Sequence, residues 1–122
     1  MRDEFDDGVV GLTIEWHAGT VRLLPRPPSA GKQKSVAACA AIRLSEHVVK
    51  IGGLRGDVSI RHATLLVRAL RAKGYRLLYA ERLGDSTLPF GTLIVGGDFD
   101  GHYRVDLIAA EERVRRRYRT DA

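Results

Sequence analysis

Residues 47–82 carry the feature that most constrains the fold: two apolar runs of strand character flank a helix whose beginning and end are both written in the sequence. Ser59 offers a hydroxyl to a free N–H of a first helical turn, and Ile60–Ala72 follows with strong helix formers. Ala63, Leu66, Val67 and Leu70 recur at helical spacing as an apolar stripe, with Arg61, Arg68 and Arg71 largely off it. Gly74 suits the left-handed position just past a helix, and Tyr75 is placed to pack back on Leu70. Residues 47–51 before this helix and 76–82 after it read as strands. A strand, a helix and a strand of these lengths close as a crossover between parallel strands, so one parallel pair is expected.

The remaining segments read as hairpins. Val10, Leu12, Ile14 and Trp16 alternate with Gly11, Thr13 and Glu15, the period of a strand with one buried face, and residues 20–24 return after a turn at 17–19. Residues 1–8 are acidic and read as a flexible tip, while 25–34, with Pro25, Pro27 and Pro28, read as an exposed loop. Residues 35–44 are ambiguous: their alanines favour helix, but Val36, Ala38, Ala40, Ile42 and Leu44 alternate as in a strand. Strand is the better reading, because Ser45 and Glu46 turn the chain directly into residues 47–51 and close a second hairpin. Gly52, Gly53 and Gly56 are expected to end that strand. Residues 83–88 read as a polar loop, and 91–95 with 103–107 form a third hairpin around a Gly/Asp turn. Residues 109–119 suit a terminal helix, with Glu111 and Glu112 early and arginines late, the order that the helix dipole favours. The expected architecture over residues 1–122 is a single α+β domain. It is a twisted, mostly antiparallel sheet of hairpins with one central crossover helix and a C-terminal helix.

Composition narrows the classes. A chain of 122 residues supports one hydrophobic core, and 44% hydrophobic with 29% charged residues is that of a folded domain. No apolar run approaches the roughly 18 residues of a membrane span. The opening Met1-Arg2-Asp3-Glu4-Phe5-Asp6-Asp7 is acidic where a secretory signal is basic and then apolar, so a soluble cytoplasmic protein is expected. Cys39 is the only cysteine; it forms no intrachain disulfide and no multi-cysteine zinc site, and reads as a small buried hydrophobe. The net charge of +5 favours an acidic partner such as nucleic acid. Arg predominates over Lys, however, which a GC-rich coding sequence also produces.

Each candidate for chemistry has a plainer counterpart. Arg113, Arg115, Arg116, Arg117 and Arg119, with Tyr118 among them, suit a helix that contacts phosphates or another partner. They equally suit a solvated terminal helix docked by Val114 and Tyr118, which is favoured. Residues 50–57, from Lys50 to Asp57, are Gly-rich between a strand and a helix, a place for an anion, but no P-loop or dinucleotide pattern is present and Asp57 would occupy the anion's position. A structural turn is the better reading there. Asp98, Asp100 and Asp106 fall short of a calcium loop and read as a hairpin turn. His17, His47, His62 and His102 lie in separate segments with no paired spacing, and Ser45, Ser59 and Cys39 lack a nucleophile context. No catalytic, cofactor-binding or metal-ligating residue is assigned.

Two hairpins feeding a strand, a Gly-rich turn, and then the run from Leu65 to Glu81, LLVRALRAKGYRLLYAE, resemble the central part of GNAT-type acyltransferases. There a helix rich in Leu and Ala ends at Gly-Tyr and enters a strand of this kind. The resemblance implies an acetyl-coenzyme A site at the helix N-terminus, formed by an Arg/Gln-x-x-Gly-x-Gly/Ala stretch. In that register Ile60 and His62 stand at the glycine positions and obstruct the pyrophosphate, and the family's opening strand and helix pair is missing. What carries over is a fold with cofactor binding lost, so no cofactor and no functional residue are expected. Three functions follow in order: a small non-enzymatic interaction or accessory protein of a bacterium or its phage, working through a protein partner or self-association; a nucleic-acid-binding module using the Arg-rich tail; and an atypical acyltransferase.

Overall fold

The computed structural model describes residues 2–16, 19–56, 58–81 and 90–120, without the side chains of 117–120. Among the described residues eight strands form one sheet: β1 (Arg2–Asp6), β2 (Gly11–Glu15), β3 (Thr20–Leu24), β4 (Ala37–Arg43), β5 (Val48–Gly56), β6 (Leu77–Glu81), β7 (Thr92–Leu93) and β8 (His102–Asp106). Their order is β1-β2-β3-β4-β5-β6-β8-β7. Only β5 and β6 run parallel, joined through helix α1 (Ile60–Ala72), and every other neighbouring pair is antiparallel. Helix α2 (Leu107–Thr120) follows β8 directly. The fold is α+β, with a mostly antiparallel sheet and two helices, as the hairpin pattern and the capped helix predict.

Helix α1 has the two ends that its sequence specifies. The Ser59 hydroxyl accepts from the His62 N–H at 3.1 Å. At the other end Gly74 adopts φ 89°, the Gly74 N–H bonds the Arg71 carbonyl, and the Tyr75 N–H bonds the Leu70 carbonyl, both at 3.0 Å. These two bonds are the 5→2 and 6→1 pair that satisfies free carbonyls at a helix end. The buried stripe is wider than the sequence suggests, taking in Leu65 and Ala69, while Leu66 is half-buried. The cause is α2, which packs against α1 on the same side of the sheet and covers a second flank of it. One core joins the strand residues Leu12, Ile14, Val21, Val49, Ile51, Leu78 and Val105 to Leu65, Leu70, Leu107 and Ala110 of the helices.

Four segments differ from the expectation. Residues 1–8, read as a flexible tip, contain β1, which adds to the free edge of β2 from Arg2↔Glu15 to Asp6↔Gly11. Its inward residues are Asp3 and Phe5; Asp3 accepts from Trp16 Nε1 at 2.7 Å and pairs with Lys73 Nζ at 2.7 Å. The glycines expected to end β5 lie inside it. Gly53 takes φ 64° at a bulge where the register against β4 shifts, and the strand continues to Gly56, held by long-range pairing. The Pro-rich loop is exposed over much of its length but lies against β1 and β2 through a 3-10 turn at Pro28–Ala30. Gly11 permits this approach, since a Cβ there would stand 2.6 Å from the Arg26 carbonyl oxygen. Helix α2 begins at Leu107 rather than 109, because Asp106 Oδ1 accepts from the N–H groups of Ile108 and Ala109, both at 3.1 Å. Glu111 and Glu112 therefore fall in its second turn. His17 and Asp57 lie outside the described residues.

Candidate interaction surface

With both helices on one side, the alternate residues of each strand point to the other side of the sheet. Over β1–β3 that side is partly roofed by the Pro-rich loop, and Thr13 and Leu24 are buried there. From β4 to β7 the loop does not reach it, and among the described residues the β7–β8 hairpin stands over part of it, Phe99 on Tyr79. Ala38, Ala40 and Ile42 of β4, Val48, Lys50 and Gly52 of β5, Leu77, Tyr79 and Glu81 of β6, and His102 and Arg104 of β8 share this face by register. Ile42 is 53% exposed and Leu44, just past β4, 45%.

The hairpin between β7 and β8 adds an aromatic wall. Phe99 stacks on Tyr79 with ring centroids 4.1 Å apart and planes 8° from parallel, and its ring meets His102 edge-on at 5.6 Å. The turn that carries Phe99 is locked by Asp100 Oδ1, which accepts from the Gly96 N–H at 2.6 Å. The Asp98 to Gly101 stretch thus shapes a hairpin, and among the described residues no three His, Cys, Asp or Glu side chains gather as a metal-binding group. Lys50, between Ile42 and Tyr79, Arg55 opposite Ala38, and Arg104 beside Tyr79 supply cations on this face. Of the carboxylates on this face, Asp106 is turned to the cap of α2, and Glu81 lies over Gly52, its Oε2 3.3 Å from where a Cβ would be. The outer edges of the sheet are poor docking rails. Strand β1 shows Arg2, Glu4 and Asp6 outward, and β7 has only two residues.

The arginines singled out in the sequence are only partly available. Arg115 and Arg116 each pair with a Glu one turn earlier, Glu111 and Glu112, at 3.6 Å. Arg71 of α1 also reaches Glu111 at 3.6 Å, so arginines of the two helices meet on one carboxylate. Arg61 is held by Asp7 at 2.7 Å. Arg113 is exposed on α2, whereas the side chains of Arg117, Tyr118 and Arg119 lie outside the described residues. Val114 is buried and docks the helix.

Two groups that looked chemically eligible are structural. His62 is buried; its Nε2–H donates to the Leu24 carbonyl at 2.8 Å and its Nδ1 accepts from the Ser59 hydroxyl at 2.8 Å, so the ring ties the start of α1 to β3. Nothing in its spacing signals this, because Leu24 is 38 residues away. Cys39 is buried in the core, and that burial pushes its thiol up to about 12, far from thiolate chemistry. No helix among the described residues is long and apolar enough to cross a membrane. Comparison with known proteins found no matching family model, no matching curated protein and no matching solved structure.

Proposed function

We propose that this is a small non-enzymatic interaction domain, which docks a protein partner on the bare half of its sheet. The occupant is an apolar segment flanked by carboxylates. The observation that carries this reading is the exposure of Ile42 and Leu44 on the face that also holds the Tyr79–Phe99 stack, with Lys50 between Ile42 and Tyr79 and Arg104 on the far side of Tyr79. Contiguous exposed apolar surface with a polar rim marks binding sites, and aromatic residues with Arg are enriched at interface centres. Cations outnumber the unengaged carboxylates on this face, so an acidic partner is the complementary one.

A photo-crosslinking residue in place of Ile42 tests this. In cells it is expected to give a discrete protein adduct, and the same group in place of Arg113 none. Lys50→Glu combined with Arg104→Glu abolishes the adduct. An adduct that survives this charge reversal, one formed equally from position 113, or one made only with nucleic acid overturns the reading; an adduct with a second copy of the chain overturns the choice of occupant.

A nucleic-acid function is the second reading, favoured by the meeting of Arg71 and Arg115 on Glu111, which brings arginines of both helices to one side. It requires binding that falls steeply with salt and is lost when Arg115, Arg116 and Arg117 become Ala. The acyltransferase resemblance ranks third. The first turn of α1, where its pyrophosphate would bind, is occupied by the Ser59 cap and the tethered His62. Calorimetry with acetyl-coenzyme A at millimolar concentration is expected to show no heat.

A further inference from the structure

On the helix side of the sheet, at the end where β2 and β4 finish and β5 begins, a recess of about 400 Å³ is lined by Trp16, Ala41, Arg43, Glu46, Lys73 and Tyr75. It is separate from the bare face and from the arginines of α2. Its size falls within the range of small-molecule sites, about 300–1,000 Å³. Two of its walls are fixed by a single carboxylate: Asp3 Oδ2 accepts from Trp16 Nε1 at 2.7 Å and binds Lys73 Nζ at 2.7 Å. Trp16 and Tyr75 lie together with ring centroids 5.6 Å apart, an aromatic floor, and Ala41 leaves room above it. The walls are therefore preorganised by contacts that link β1, the end of β2 and the end of α1.

The charge arrangement selects the ligand. The charge of Lys73 is already answered by Asp3. Arg43 makes one side-chain bond among the described residues, a long one of 3.4 Å from Nε to the Ser45 carbonyl, which leaves its terminal nitrogens for another acceptor. Glu46 lines the same recess and forms no ion pair with Arg43 among the described residues. An unmatched guanidinium and an unmatched carboxylate beside an aromatic floor complement a molecule with a carboxylate, an ammonium and an apolar side chain. A guanidinium takes a carboxylate by two parallel bonds, a geometry that a lysine does not offer.

We infer that this recess binds a free apolar α-amino acid, its carboxylate on Arg43, its ammonium on Glu46 and its side chain against Trp16 and Tyr75. Trp16 is the only tryptophan in the chain, so its emission reads occupancy directly. Titration with L-leucine, which does not absorb where indole is excited, is expected to give a saturable change in the millimolar range or tighter, with matching calorimetric heat. N-acetyl-L-leucine, which lacks the ammonium, and L-leucine amide, which lacks the carboxylate, are each expected to bind about ten-fold or more weakly. Arg43→Gln and Glu46→Gln, both at exposed positions, are expected to weaken L-leucine by a similar factor with an unchanged circular dichroism spectrum. No saturable signal and no heat with L-leucine overturns the inference. So does binding that the acetylated ligand or either substitution leaves unaltered.

Discussion

On the helix side of the sheet Leu12, Ile14, Val49 and Val105 are sealed under α1 and α2, while on the other side Ile42 stands half in water and Val48, Leu77 and Tyr79 are only partly covered. Strand β5 supplies both sets, through Val49 and Val48. Adjacent residues such as Val48 and Val49, or Leu77 and Leu78, are both apolar, so β5 and β6 have the composition of strands covered on two sides. One side is covered by the chain itself. The apolar residues of the second side lie outside this core.

Substitution across the two faces is the most severe way to break that comparison. Leu70→Ala, at a fully buried helix position, is expected to cost about 2–5 kcal/mol in urea unfolding. Ile42→Ala on the bare face is expected to stay within about 0.5 kcal/mol. Equal costs would mean that Ile42 is as covered as Leu70. Next in size is Ser59→Ala, expected to cost about 1–2 kcal/mol, since it removes the cap of α1 and leaves Nδ1 of the buried His62 without its partner. Gly74→Ala places a Cβ at φ 89° and is expected to lower the unfolding midpoint by the equivalent of about 1 kcal/mol, with the bare face unaffected.

The smallest effect is electrostatic. The hydrogen bond from Lys73, helped by that from Trp16, holds the Asp3 carboxyl below its ordinary 3.8 despite partial burial. A carboxyl depressed in the folded state stabilises above its unfolded value, about 3.9, and this is lost as pH falls through the lower folded value. Asp3→Asn is thus expected to cost about 1 kcal/mol or less near neutral pH, with the difference from the native chain shrinking below about pH 4. A difference that persists into strong acid would place the role of Asp3 in packing rather than charge.

What sequence made legible follows from the range of the forces involved. The ends of α1 are local: Ser59 and Gly74 act on backbone groups within a few residues, and both stand where their side-chain chemistry places them. Strand β1 is not local. Its residues Arg2, Asp3, Glu4 and Asp6 are poor strand formers, and pairing with β2 and the bonds of Asp3 to Trp16 and Lys73 make it a strand. The glycines of β5 read as a break for the same reason, since β4 supplies the pairing that holds them extended. The bare face was hidden by the doubled apolar pairs of β5 and β6, which give periodicity no side to prefer. The recess at Trp16 joins three distant segments, so only the fold brings Arg43 and Glu46 to Trp16 and Tyr75. The arginines of the tail were visible as a cluster, but their pairing with Glu111 and Glu112 depends on where α2 begins, which Asp106 decides.

The Pro-rich loop folded against β1 and β2 has a metric consequence. It stops short of β4, β5, β6, β8 and β7, four steps between strands of about 4.8 Å each, or about 19 Å. A helix lying across those strands advances about 1.5 Å per residue, so that span equals about 13 residues, between three and four turns. Under the docking proposed above, Pro27 and Pro28 bound that span on one side, which sets a length as well as a chemistry for the docked segment.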